Sequence, residues 1–155
     1  MEDKQEIYFE LFDSGDLVRL EPIEFLQYES NHDWDKNWVK TKLTIKGGNF
    51  SGQYTGEIMT VEFEKFKQEI SQLYDNLKGT ARFNDIEGYL DLKISGDGLG
   101  HFEVNVAACD KPGIFGNKLK FSMTFDQTEI NELIRQLDSI VKEFPIEGNF
   151  KIKNE

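Results

Sequence analysis

The chain has 155 residues, of which 18 are Lys or Arg and 29 are Asp or Glu, so its formal net charge is −11. A field of this sign repels nucleic acid and anionic membranes and attracts cationic partners, so nucleic-acid and membrane binding are disfavoured. The length fits one domain, residues 1–155, whose core can draw on 13 Phe side chains.

Cysteine usage and the start of the chain bear on its location. The single cysteine, Cys109, excludes an intrachain disulfide. The N-terminal residues 1–6 lack the basic and apolar regions of a signal peptide, and no apolar run reaches the length of a membrane span. We therefore expect a cytoplasmic protein that does not enter a membrane.

Alternating apolar and polar residues predict strands at the start of the chain. Residues 5–12 and 16–26 show this pattern, although Pro22 interrupts the second segment and makes it an edge or bulged strand. Residues 38–46 alternate most regularly, and residues 47–49, Gly-Gly-Asn, then predict a hairpin.

The return strand of this hairpin covers residues 50–58. Gly52 and Gly56 share its apolar face, which predicts a bend or close packing against a neighbour. Apolar residues at spacings of three and four then predict a helix over residues 60–78, with Gly79 as its C-terminal stop.

The second half of the chain repeats this order of elements. Four strands are predicted, over residues 79–84, 89–95, 102–108 and 119–125. Asp126, with Glu129 three residues later, predicts a capped start for a second helix, which Pro145 ends. Strands that alternate bury one face each, which indicates antiparallel pairing. The predicted fold class is α+β, a mainly antiparallel sheet of about eight strands with two amphipathic helices in β4-α-β4-α order.

No residue pattern predicts a catalytic, metal or cofactor site, and we expect a protein that is not an enzyme. His32 and His101 are not a close-spaced ligand pair. Residues 96–100 are glycine-rich but join two strands, whereas a phosphate cradle opens a helix. Cys109 is expected to be a half-exposed filler. An enzyme would have to be built on His101, Asp97 and Cys109, with His101 within hydrogen-bonding reach of Cys109.

The most distinctive surface candidate is an acidic loop that contains a tryptophan. Glu29, Asp33 and Asp35 surround Trp34, and Trp38 follows on the polar face of a predicted strand. An amphipathic Trp among acids suits contact with a basic partner, so these five residues are the candidate partner-binding set. The alternative is that one of the two tryptophans folds back over the sheet, because large aromatic side chains are usually mostly buried.

Several segments resemble the WapI-type family of bacterial immunity proteins, and their order and spacing carry the resemblance over about residues 17–141. These segments are Asp33-Trp34-Asp35-Lys36-Asn37-Trp38, Gly48-Asn49-Phe50-Ser51-Gly52, the helix from Phe63 to Leu77 with Lys78-Gly79-Thr80-Ala81, Gly96-Asp97-Gly98-Leu99-Gly100-His101-Phe102-Glu103-Val104, and Phe125-Asp126-Gln127-Thr128-Glu129-Ile130 with the closing helix.

The resemblance implies a cytoplasmic antitoxin that binds the toxic C-terminal domain of a secreted, contact-dependent polymorphic toxin, often a nuclease. It carries no binding residue across to this chain. We expect stoichiometric occlusion, in which an acidic surface steers toward a basic toxin face and covers it without a cofactor. The alternative is a non-catalytic ligand- or peptide-binding module with an apolar pocket or an open sheet edge. The oligomeric state stays open.

Overall fold

Two meanders of four antiparallel strands, each followed by a helix, make up the fold in the computed structural model, which describes residues 6–26, 32–113 and 115–148. The predicted α+β class and β4-α-β4-α order are confirmed. In chain order the elements are β1 (Phe9–Asp13), β2 (Asp16–Phe25), a 3₁₀-helix (Asp33–Asn37), β3 (Trp38–Gly47), β4 (Phe50–Met59), α1 (Thr60–Asn76), β5 (Lys78–Asn84), β6 (Leu90–Asp97), β7 (His101–Cys109), β8 (Lys118–Asp126) and α2 (Gln127–Glu143).

The eight strands are divided equally between two sheets. Their orders are β1-β2-β3-β4 and β5-β6-β7-β8, and all neighbours are antiparallel. The register between β2 and β3 shifts between Pro22 and Glu24, which is the irregularity that the proline predicts. Each sheet turns its apolar face inward, because alternate residues of a strand point to opposite faces.

The apolar faces of both sheets and both helices share one core. At its centre Phe9 of β1, Phe63 and Phe66 of α1 and Phe83 of β5 are fully buried, with ring centroids 5.4 to 6.1 Å apart. Aromatic pairs at such spacings contribute about 0.5–1.5 kcal/mol each beyond their buried area. These rings therefore join the two halves of the chain. Within the described ranges, neither helix is long and apolar enough to cross a bilayer.

The end of α1 differs from the prediction. The helix ends at Asn76, because Leu77 adopts a left-handed conformation with φ of 59°. The Leu77 carbonyl accepts a hydrogen bond from the Gly98 nitrogen at 2.8 Å, which ties the helix end to the β6–β7 turn. Gly79, the expected helix stop, lies inside β5.

The start of α2 matches its predicted cap. The Asp126 carboxylate accepts a hydrogen bond from the Thr128 backbone nitrogen at 3.0 Å, and the Glu129 carboxylate accepts one from the Asp126 backbone in return. This reciprocal arrangement is a capping box, which satisfies two amide groups that the first turn leaves without helical partners.

Candidate partner-binding surfaces

The predicted partner-binding residues lie where the chain enters β3. Asp33, Trp34 and Asp35 belong to the 3₁₀-helix and Trp38 is the first residue of β3, so four of the five share one short segment. We call residues 33–38 the tryptophan segment. Glu29 lies outside the described residues.

The two tryptophans differ in exposure. Trp34 is 38% exposed, whereas Trp38 is half-buried on the outer face of β3, paired with Met59 of β4. Asp33 and Asp35 are also half-buried, and Lys36 Nζ lies 3.0 Å from the Asp33 carboxylate. Trp34 is therefore the accessible tryptophan, but the lysine offsets part of the negative charge around it.

Asn37 ties the tryptophan segment to the chain that follows α2. Its side chain is fully buried, and its amide nitrogen donates to the carbonyls of Asp33 at 2.8 Å and Glu147 at 3.1 Å. Its amide oxygen accepts a hydrogen bond from the Glu147 backbone nitrogen at 2.7 Å. A Cβ at Gly148 would collide with the Asp33 side chain. The presentation of Trp34 thus depends on contacts more than 100 positions along the chain, which the sequence pattern does not reveal.

A second acidic surface, which the sequence analysis missed, lies at the start of α2. It is a groove of about 640 Å³, which we call the acidic groove, and none of its described lining residues is Lys or Arg. Its carboxylates come from β1, β6, β7, β8 and α2, namely Asp13, Asp97, Glu103, Asp126 and Glu129.

The turns that border the acidic groove hold some of these carboxylates in fixed positions. Asp97 accepts hydrogen bonds from the backbone nitrogens of Leu99 at 2.7 Å and His101 at 3.2 Å, and the His101 ring nitrogen Nδ1 lies 3.2 Å from its other oxygen. The Leu99 bond is the main cause that lowers the pKa of Asp97. Across the groove, Asp13 accepts a hydrogen bond from the Thr124 backbone at 3.2 Å.

The carboxylates around the start of α2 also influence one another. The hydrogen bond that the Thr128 hydroxyl donates is the main cause that lowers the pKa of Asp126, so this carboxylate is ionised at neutral pH. Burial, and then the charges of Asp126 and Asp13, raise the pKa of Glu129. The three groups therefore share one negative field at the mouth of the groove. In the sequence Asp126 and Glu129 belong to one cap motif, whereas Asp13 reaches them through its hydrogen bond with Thr124, and Asp97 through the pairing of His101 with Asp126.

An apolar cleft lies between the two sheets beside the β3–β4 hairpin, and we call it the inter-sheet cleft. Its volume is about 360 Å³, which is within the size range of ligand-binding pockets. Its apolar and aromatic lining residues are Ile45, Phe50, Tyr54, Ala108 and Leu119. The remaining lining residues are Ser51, Gly52, Asp110, Asn117 and Lys118.

Of the three residues that an enzyme would require, His101 and Asp97 are in contact, whereas Cys109 lies apart from His101. His101 begins β7 and half-buried Cys109 ends it, so about 26 Å of strand separates them. The Cys–His pair on which the enzyme alternative depends is therefore not formed. The described part of the chain also holds no group of three His, Cys, Asp or Glu side chains arranged for a metal ion.

Comparison with known proteins gives one family match. The model of the Immunity protein WapI-like family matches residues 9–145. No curated protein matches the chain. Similar solved structures are the plant transcriptional regulator PBF-2 (13% identity, 92% of this chain and 84% of that chain, TM-score 0.48), WHY1 from Arabidopsis thaliana (14%, 94% and 88%, 0.48) and a guideRNA-binding protein complex bound to a gRNA (12%, 90% and 92%, 0.48).

Proposed function

We propose that this chain, which belongs to the Immunity protein WapI-like family, binds the toxic C-terminal domain of a cognate secreted toxin and neutralises it. The mechanism is stoichiometric occlusion: one immunity protein covers the catalytic or substrate-binding face of one toxin domain. It acts in the cytoplasm of the producing cell and needs no turnover and no cofactor.

The main support for this mechanism is the acidic groove. Five carboxylates line it without a described lysine or arginine, so their charges are not neutralised by basic side chains of the lining. A concave surface of one sign concentrates its field and accelerates the encounter with a surface of the opposite sign. A basic toxin domain, such as a nuclease that holds an anionic substrate, has the complementary charge.

The tryptophan segment is the second proposed contact. Trp34 is large, partly exposed and held on a segment that Asn37 fixes to the rest of the fold. An aromatic side chain that is already ordered loses little conformational entropy on binding, and such residues often dominate interface energetics. We propose Trp34 as the anchor, with Asp33, Asp35 and Trp38 beside it, and Glu29 as a further contact on the ground of the sequence alone.

The test is co-expression with the C-terminal domain of a secreted toxin encoded beside this chain. We expect growth rescue and a one-to-one complex that weakens as salt rises. Absence of both complex and rescue with each neighbouring toxin domain would refute the immunity mechanism.

Two pairs of variants identify the surface. Glu103→Lys reverses a charge in the acidic groove, and Glu143→Lys makes the same change at the exposed end of α2. We expect the first to slow association by about tenfold and the second to change it little.

Trp34→Ala should weaken the complex by about thirtyfold, whereas Ile86→Ala, which truncates another exposed apolar residue, should not. If the two variants of a pair had equal effects on binding, the surface that the pair tests would not belong to the interface.

A further inference from the structure

We infer that the toxin domain is also bound by strand addition: an extended toxin segment pairs with the free edge of β4 and places an apolar side chain in the inter-sheet cleft. The segment carries Lys or Arg where it passes Glu57 of β4. This inference rests on the proposed function, which supplies the class of partner, and it adds a surface remote in the sheet from the tryptophan segment.

The first support is that β4 differs from the other edge strands. Strands β1 and β8 pack against each other, α2 packs against β1, and α1 packs against β5. Strand β4 is the last of its sheet, and among the described strands it is hydrogen-bonded to β3 alone. Its first four residues, 50–53, are all exposed.

The second support is that β4 lacks the features that usually protect an edge. Its sequence, FSGQYTGEIM, contains no proline and no lysine. Its pairing with β3 runs from Phe50 to Met59 without a register shift, so no bulge bends the edge away. A long, regular, unprotected edge is a template for another strand.

Main-chain geometry shows which groups a partner strand would meet. Residues 48–49 form a two-residue turn, so Gly47 and Phe50 form the hydrogen-bonded pair that closes the hairpin. Because N–H and C=O groups alternate in direction along a strand, those of Ser51, Gln53 and Thr55 point away from β3. These groups can bind an added strand.

The inter-sheet cleft lies beside this same stretch of β4. Gly52 faces the cleft, and a Cβ built there would meet no atom within 4 Å. Phe50, on the same face of the strand, is 72% exposed. An added strand would lie about 4.8 Å from β4, and its alternate side chains would face the same side as Phe50 and Gly52. One apolar side chain of the partner can therefore enter the cleft.

Charges of both signs border the edge, and the carboxylates lie where β4 approaches Tyr89. Lys46, Lys42 and Lys40 of β3 lie opposite Ser51, Thr55 and Glu57, and the cleft is lined by one acid, Asp110, and one lysine, Lys118. Burial, and then the charges of Glu57 and Glu87, raise the pKa of Tyr89, so both carboxylates lie near the ring that packs on β4. A basic side chain of the segment is therefore favoured where it passes Glu57.

The decisive variant is Gln53→Pro, tested by the affinity of the purified full chain for the same toxin domain. Proline removes the outward N–H of residue 53 and leaves the pairing with β3 intact, as in edge strands that contain proline. We expect affinity to fall by about tenfold, the effect of losing a main-chain hydrogen bond and its neighbours. Gln53→Ala, which keeps the N–H, should bind like the wild type.

A second variant tests the cleft. Gly52→Val fills space that no atom occupies within 4 Å of the new Cβ, so the fold should tolerate it, and the entering side chain should be excluded. We again expect about tenfold weaker binding. If Gln53→Pro does not fold, judged by its thermal unfolding, Gly52→Val decides the question.

The outcomes separate the two proposals. Wild-type affinity in both variants would overturn strand addition and leave the immunity function standing. A toxin domain that fails to bind the wild type would overturn both. A wild-type dimer that Gln53→Pro dissociates, without an effect on toxin affinity, would assign the edge to a second copy of the chain and would also overturn the inference.

Discussion

Glu62 is a residue whose surroundings disfavour its charge. It lies half-buried in the first turn of α1, where burial and then the charge of Asp85 raise its pKa to about 7. Asp85 is itself 4% exposed, and its carboxylate accepts hydrogen bonds from the backbone nitrogens of Gly88, Tyr89 and Leu90 at 2.8 to 3.1 Å. Asp85 holds the β5–β6 turn through these hydrogen bonds, and its negative charge disfavours the ionised form of Glu62.

Replacing Glu62 with Gln should stabilise the fold at alkaline pH. The ordinary pKa of this carboxyl is 4.5, so between pH 4.5 and 7 the folded chain binds more protons than the unfolded chain and stability falls as pH rises. We expect Glu62→Gln to gain about 1 kcal/mol at pH 8, after allowance for solvent screening, or about 2–4 °C in Tm, and to lose this advantage at pH 4.5.

Thermal unfolding of both proteins at the two pH values checks this expectation. Glu64→Gln, two residues along the same helix, serves as the matched control. An advantage for Glu62→Gln that is the same at pH 4.5 and pH 8 would show that the carboxyl is not strained by its burial.

At the level of elements, local patterns predicted what each segment forms but not what it pairs with. Residues 38–46 alternate regularly, and the strand found there, β3, extends one residue further. Alternation defines which face of a strand is buried and says nothing of its neighbour, so the division into two sheets could not be predicted. The end of α1 was missed for a similar reason, because Leu77 is held left-handed by the distant Gly98.

The glycines of β4 give a prediction about how the sheets pack. A Cβ at Gly56 would lie 2.8 Å from ring atoms of Tyr89, whereas one at Gly52 would meet nothing within 4 Å. Gly56→Ala should therefore destabilise the fold by about 1–3 kcal/mol, because the ring must move. Gly52→Ala should stabilise it by about 0.4–1 kcal/mol, because alanine restricts the unfolded chain.

Urea unfolding of the two alanine variants measures this difference. The pair is matched, since both glycines lie on the same strand and the same face. Equal stabilities would mean that the close approach of Tyr89 to β4 is not required for the two sheets to pack.

On the scale of the whole molecule, charges of both signs lie on the outer faces of the sheets, and the acidic groove is a local excess of negative charge. Exposed or half-exposed lysines lie on these faces at positions 40, 42, 46, 93, 118 and 120. Glu103 and Asp126 of the groove lie on the same face of β7 and β8 as Lys118 and Lys120, but at the opposite end of these strands. Composition predicted a cationic partner for this acidic chain, and the sequence predicted Trp34 and Trp38 among its contact residues. The sequence could not predict the groove, because its five carboxylates come from five elements. It also could not predict the contact of Asn37 with residue 147.

The local excess of negative charge in the acidic groove predicts how the complex should respond to salt. Long-range attraction between the acidic groove and a basic toxin domain acts before contact and is screened within about 8 Å at physiological ionic strength. Raising NaCl from 0.02 to 0.2 M should slow association by about tenfold and change dissociation by less than about twofold. Stopped-flow mixing with the toxin domain measures both rates.

Glu103→Lys should flatten the salt dependence of association, and Glu143→Lys should leave it unchanged. If salt instead acted mainly on dissociation, the carboxylates would be contacts in the bound state, and steering by the acidic groove would be ruled out.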